Sequence, residues 1–371
     1  MVKAGLEDIV AGSSTICDVN GKEGRLIYQG YDIHDLAEHS TFEEVVYLLW
    51  FGKLPNKAEF ESIDKGLKMN RSLPDDVVKA MRGFPKQASP MEVLRTTVSL
   101  LSMYDPDDND NGREANIRKA TRLTAQVPTV VAYWDRIRNN RETLKPREDL
   151  NIASNFLYML NGKEPDELSA KSIDIALILH ADHELNASTF AARVAASTLS
   201  DFHSAIVAAI GTLKGKLHGG ANQEVIDMLI KIEDPKNATG HVAKMLSEHK
   251  KVSGFGHRVY KTEDPRASHL RKMSEQLGKL KSELKWYEMS REIEQFILRE
   301  KGLYANVDFY SASVYYMLGI PTDLFTPVFA ISRMSGWAAH VLEQYADNRL
   351  IRPRAEYIGP SNLEYKNINQ R

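Results

Sequence analysis

The chain has 371 residues, 43% hydrophobic and 26% charged, with 48 Lys and Arg against 50 Asp and Glu for a formal net charge of -2. That composition excludes a disordered chain, and the charge balance offers no overall field for nucleic acid or an anionic membrane, so any anion site must be local. The length exceeds what one core usually serves and predicts two domains, or one large and one small lobe.

In chain order, the leading residues MVKAGLEDIVAGSS lack both an apolar signal region and the Arg-rich character of a transit peptide. The next stretch, STICDVNGKEGRLIYQG, is the one clear strand signal: β-branched and aromatic runs flank Asn20-Gly21, a pair that favours a hairpin turn. It contains Cys17, the only cysteine. An intrachain disulfide and a cysteine-ligated cluster are therefore excluded, and a reducing cytoplasm is favoured. Thr41 with Glu44 reads as a capping box before EEVVYLLWFG, closed by Gly52 and Pro55. Ser89-Pro90 opens a second helix, and DPDDNDNG from Asp105 to Gly112 reads as an exposed polar loop.

From Ser172 to Ala196 the chain is apolar on nearly every side, which predicts one buried helix, or two meeting at a break, around HADHE. SAIVAAIGTL stops in KGKLHGG, and ANQEVIDMLIKI starts anew. HVAKMLSEHK then yields to the loop VSGFGHRVYKTED, ended by Asp264-Pro265 as cap and first helical residue. Charged helices run to about Lys301, and apolar ones resume in DFYSASVYYMLGI and VFAISRMSGWAAHVLEQ. No run approaches the roughly 18 apolar residues of a membrane span.

Several residues could carry chemistry. His180 and His183 would share a helix face, open to a metal, core or substrate role, although the H-E-x-x-H order is absent. His218 precedes two glycines and a helix start, where the positive potential would lower its pKa and keep a neutral donor, or it merely caps the loop. GFGHRVYK joins two glycines with His257, Arg258 and Lys261, a set suited to phosphates, and Arg266 lies in the first turn of the next helix. Asp308 is either a helix N-cap or, in a dehydrated cleft, a base of raised pKa. Arg333 inside an apolar helix must meet an anion, structural or substrate. Arg352 lies among Arg349 and Arg354, which composition alone classes as solvated.

Taken together, LHADHELNAST, KLHGGANQEV, GFGHRVYKTEDPRA, NVDFYSASVYYMLGIP, SRMSGWAAHVLEQ and IRPRAEYIG resemble the citrate synthase family, as do GRLIYQGYDIHDLAEHSTFEEVVYLLWFGKLP and SPMEVLRTT. The resemblance implies a mainly α, two-domain fold with a small N-terminal β-hairpin. Residues 1–219 and 319–371 would form a large dimerising domain, and 220–318 a small domain that closes over the substrates. It implies condensation of acetyl-CoA with oxaloacetate and thioester hydrolysis to citrate, a step of the tricarboxylic acid cycle. The implied protein is a cytoplasmic homodimer without metal or redox cofactor, and without nucleic-acid or membrane partners.

Carried over by motif, Asp308 would be the base, His218 the donor to the enolate oxygen, and His257 the acid at the ketone. His183, Asn186, Arg266 and Arg333 would bind oxaloacetate, with Arg352 reaching the neighbouring subunit's site. Gly254, Phe255, Gly256, Arg258 and Lys261 would meet coenzyme A. The alternative is 2-methylcitrate synthase, which uses propionyl-CoA; one methylene changes selectivity by only about 1–3 kcal/mol.

Overall fold

A computed structural model describes residues 4–6 and 9–371 of the chain. The reading of the leading residues as free of a targeting segment falls partly on residues 1–3, 7 and 8, outside those described. The hairpin forms β1 (Cys17–Asn20) and β2 (Arg25–Tyr28), antiparallel with Cys17 opposite Tyr28 and Asn20 opposite Arg25. Its turn is not a tight two-residue Asn20-Gly21 turn. Four residues, Gly21 to Gly24, separate the paired ends, and Asn20 Oδ1 accepts the N–H groups of Lys22 and Glu23 at 3.1 Å each. A third strand, β3 (Tyr31–Asp32), pairs with β2 and leads directly into α1 (Ile33–His39).

The capping box at Thr41 and Glu44 starts α2 (Phe42–Phe51), and Gly52 ends it in the left-handed conformation. Then come α3 (Lys57–Met69) and α4 (Asp75–Arg82). Pro90 occupies the first position of α5 (Pro90–Ser102), and α6 (Arg113–Arg138) follows. The acidic loop between them is less exposed than expected. Arg122 binds Asp105 and Asp107, and the Asp105 side chain is buried.

The apolar stretch around HADHE resolves into two helices meeting at a break. After α7 (Ile152–Asn161), α8 (Glu167–His180) ends at His180 and α9 (Ala187–Ser197) restarts behind the N-cap Asn186. Then α10 (Phe202–Leu213) is followed by α11 (Ala221–Ile232), α12 (Ala238–Ser247), α13 (Pro265–Lys281), α14 (Lys285–Lys301) and α15 (Val307–Met317). The last helix, α16 (Phe325–Ala346), is buried along nearly its whole length. It is apolar all round because α2, α6, α8, α9 and α10 surround it. A second group, α11 to α15, packs around α15, and α13 also meets α1 and α8. The candidate site lies where these two groups meet.

Candidate active site

The break between α8 and α9 places His183. The Tyr28 hydroxyl of β2 donates to the Asp182 carbonyl at 2.9 Å and accepts the Asp182 N–H at 3.2 Å. Glu184 takes a positive φ of 55°, so the helix cannot continue through the motif. His180 and His183 therefore do not share a helix face, and of the two expectations for this stretch the pair of helices meeting at a break is the one that forms. His180 stays in the core, with Nδ1 donating to the Ala176 carbonyl at 2.8 Å and the ring edge-on to Phe329. His183 instead turns to the loop after α12, sharing a 3.2 Å hydrogen bond with Tyr260 and facing the His257 ring at 5.2 Å between centroids.

His257 is held by its own loop. The N–H groups of Val259 and Tyr260 donate to His257 Nδ1 at 3.0 and 3.2 Å. A neutral imidazole so held carries its proton on Nε2. Burial, with the Arg266 charge adding to it, pushes His257 down to about 4. His218 is the converse. It lies in the turn between α10 and α11, where the Ser188 N–H donates to its Nε2 at 3.2 Å and Ser188 Oγ lies 2.8 Å away. A neutral imidazole that accepts the Ser188 N–H carries its proton on Nδ1. Burial lowers it to about 4, with Arg333 adding its charge. The sequence assigned that fall to the helix start, but desolvation is the larger cause.

Asp308 is not the N-cap. Asn306 caps α15, accepting the Asp308 N–H at 3.0 Å through Oδ1, which leaves the Asp308 side chain free for chemistry. Burial pushes its carboxyl up to about 6, although Arg266 and Arg333 pull the other way. Among the described residues no hydrogen bond reaches that carboxylate, the condition under which a carboxylate becomes a stronger base. The same helix start is tied to the His257 loop. Asn306 donates to the carbonyls of Gly254 and Gly256 at 2.9 Å each. Gly254 has φ 87°, and a Cβ there would lie 2.8 Å from the Phe309 ring, so only glycine fits.

Arg266 is not a surface ion pair. It is buried and grips Asp264 through Nε and Nη2 at 2.9 and 2.8 Å, while Asp264 Oδ2 also accepts the Val307 N–H at 3.2 Å. Burial works against the Arg266 charge, but Asp264 outweighs it and holds the pKa above the ordinary value. Arg333 differs. Its Nε donates to the His180 carbonyl at 2.7 Å and its guanidinium lies over Phe329, yet no carboxylate pairs with it among the described residues. Burial lowers its pKa. A buried, unneutralised guanidinium is costly unless an anion arrives.

A cavity of about 220 Å³ opens beside His257, lined in part by Gly256, Tyr260, Lys261, Asp264 and Asn306, whereas His183, His218, Arg266, Asp308 and Arg333 are not in its lining. Of the residues expected to meet coenzyme A, Gly256 and Lys261 line it, whereas Gly254 and Phe255 are buried beneath it and Arg258 points to solvent. Asn186 is engaged as cap of α9, with Oδ1 also accepting from Ser188 Oγ at 2.8 Å. Arg352 is exposed, apart from the other groups, in the extended stretch after α16. Sequence reasoning missed Ser188 and Tyr260, although both lie inside quoted motifs. It also took Asp264 only as a cap. Their hydroxyl and carboxyl groups carry no signal until folding supplies partners.

Residues 5–354 match the family profile described as citrate synthase, C-terminal domain. The chain is 52% identical over 368 residues to "Citrate synthase 2" of Bacillus subtilis, covering 99% of this chain and 98% of that protein. It is 51% identical to "Citrate synthase" of Haloferax volcanii, covering 100% and 99%. A "2-methylcitrate synthase" of Shewanella oneidensis is more distant at 41%, covering 96% and 95%. Among solved structures, the citrate synthase of Thermoplasma acidophilum in ternary complex with carboxymethyl coenzyme A and oxaloacetate superposes with TM-score 0.94 at 33% identity, covering 100% of this chain and 99% of that one.

Proposed function

The chain belongs to the citrate synthase family of acyltransferases, and we propose that His218, His257 and Asp308 carry out in it the condensation of acetyl-CoA with oxaloacetate. Asp308 takes a proton from the methyl carbon beside the thioester carbonyl, while His218 Nδ1–H donates to the carbonyl oxygen as it becomes an enolate. The enolate carbon attacks the ketone carbon of oxaloacetate. His257 Nε2–H meets the ketone oxygen and supplies the proton as that oxygen becomes the hydroxyl of citryl-CoA. Water then cleaves the thioester to give citrate and CoA.

The observation that carries this reading is a pair of largely buried, neutral imidazoles together with a carboxylate that no hydrogen bond reaches among the described residues. Two imidazoles, both lowered to about 4, are neutral donors near neutral pH, and Asp308, raised to about 6, is ionised there and is a stronger base than an ordinary carboxylate. Arg266 and Arg333 bind the oxaloacetate carboxylates, with His183 beside His257; guanidinium suits this because it pairs bidentately. The groups just named suffice without a metal or redox cofactor, and the CoA thioester enters as substrate.

The 220–318 segment is the small domain that closes. Contacts across its edge support this: Lys281 pairs with Asp166 at 2.6 Å, and His34 shares a 2.8 Å hydrogen bond with His269. A homodimer in which Arg352 serves the neighbouring site is supported by the tail around it, whose Tyr357, Ile358 and Leu363 are at least 75% exposed within one chain. Among the described residues no helix is long and apolar enough to cross a membrane. With buried Cys17 as sole cysteine, a cytoplasmic setting fits.

Thiol release from acetyl-CoA in the presence of oxaloacetate tests the function, and its absence refutes it. A higher kcat/KM for propionyl-CoA than for acetyl-CoA would move the assignment to 2-methylcitrate synthase.

A further inference from the structure

The turn that closes the N-terminal hairpin lies against the loop that carries His257. The Lys261 N–H donates to the Gly21 carbonyl at 2.8 Å. A Cβ on Gly21 would lie 2.1 Å from the Val259 carbonyl oxygen and 2.7 Å from its carbon. A Cβ on Gly24 would lie 2.5 Å from Thr262 Oγ1 and 3.0 Å from the Glu263 carbonyl oxygen. Gly21 is not among the positive-φ residues, so the hairpin itself does not demand glycine there. The close approach of the second backbone does.

Val259 and Tyr260 are also the residues whose N–H groups hold His257 Nδ1. We infer that the turn Gly21–Gly24 is the seat on which the loop Val259–Glu263 rests, and that Gly21 is a positioning residue for His257. The inference rests on the role given to His257 above. A methyl at position 21 meets backbone, so no rotamer relieves it. The loop must retreat by about 1 Å to restore ordinary contact, and a shift of that size costs up to ~10²-fold in rate. The same retreat pulls the two N–H donors from Nδ1 and frees the imidazole to change tautomer.

Gly21→Ala should leave a folded dimer whose kcat falls about 10–100-fold, while Lys22→Ala, a change at an exposed position of the same turn, keeps the parent rate. Nitrogen-15 spectra of labelled histidine should show His257 protonated at Nε2 in the parent and as a tautomer mixture in Gly21→Ala. Hydrogen exchange on the unmodified protein should find the Lys261 amide protected and the Arg258 amide not. An unprotected Lys261 amide overturns the seat even if Gly21→Ala fails to fold. So does a Gly21→Ala enzyme with parent kcat and an unchanged His257 signal, or one that loses rate with that signal unchanged. A displaced His257 signal at parent kcat would instead refute the catalytic role of His257.

Discussion

Replacing Asp308 by Asn should inactivate the enzyme and stabilise the protein, because the feature that makes the carboxylate basic also strains the fold. Burial raises its pKa from an ordinary 3.8 to about 6. At ~1.4 kcal/mol per pH unit this is about 3 kcal/mol of lost stability at neutral pH, trimmed to roughly 2 by the solvent that reaches the partly exposed group. The sign follows from proton binding. Below about pH 4 the group is protonated whether folded or unfolded, and no penalty exists. As pH rises through about 4 to 6 the unfolded chain loses its proton first, and the penalty grows to its full value above pH 6.

Asparagine never carries that charge. It forfeits the favourable position of a carboxylate in the first turn of α15, about 0.3–1 kcal/mol, so the net gain at pH 7.5 is roughly 1–2 kcal/mol. At pH 5 the burial penalty is about half its full size. Urea unfolding of both proteins at one protein concentration, at pH 5 and 7.5, measures this, and thiol release should fall about 10²–10⁴-fold in parallel. A variant no more stable than the parent at pH 7.5, or one with an equal gain at both pH values, would refute a buried, destabilised Asp308.

The same carboxyl sets the acid side of the rate profile. kcat/KM should fall below about pH 6 to roughly a tenth at pH 5, with no second break down to pH 5 because both histidines are already neutral; a flat profile to pH 5 excludes Asp308 as the base. Ser188→Ala leaves the Trp337 N–H without its 3.1 Å acceptor and His218 without its neighbour, so kcat should drop about tenfold, whereas the KM for oxaloacetate stays near the parent value. A parent-like kcat would show that the Ser188 hydroxyl does not hold His218, whose Nε2 still meets the backbone N–H of position 188. Arg333→Gln should weaken oxaloacetate binding at least about 30-fold, from the 2 kcal/mol or more that a truncated buried charge pair loses; calorimetric titration giving unchanged affinity would remove Arg333 from the site. Mixed and reassembled His257→Ala and Arg352→Ala dimers should recover about a quarter of parent activity, since half the dimers are mixed and each holds one complete site. No recovery would show that Arg352 serves its own subunit.

Much of this protein was legible in its sequence because the relevant physics is local. The capping box at Thr41 and Glu44 and the Asp264-Pro265 helix start each depend on neighbours a few residues away. The ordered motifs around His183, His218, His257 and Asp308 pointed to one family, and the structure and the comparisons agree with that family. Misreadings arose where a residue's partner lies far along the chain. His180 and His183, which a continuous helix would put on one face, are parted because the Tyr28 bond that fixes the break at Asp182 joins segments about 150 residues apart. Ser188 and Tyr260 gained meaning only when folding brought them to imidazole nitrogens.

What the sequence determined by itself is therefore the inventory: mainly helical elements, their ends, and the imidazole, carboxyl and guanidinium groups the chemistry uses. Only the tertiary structure decided which nitrogen of His218 and His257 meets a backbone N–H, and that, among the described residues, no hydrogen bond reaches the Asp308 carboxylate and no carboxylate pairs with Arg333 as Asp264 does with Arg266. Tautomer, desolvation and charge pairing are properties of surroundings, and those surroundings come from helices and loops that meet only after the chain has folded.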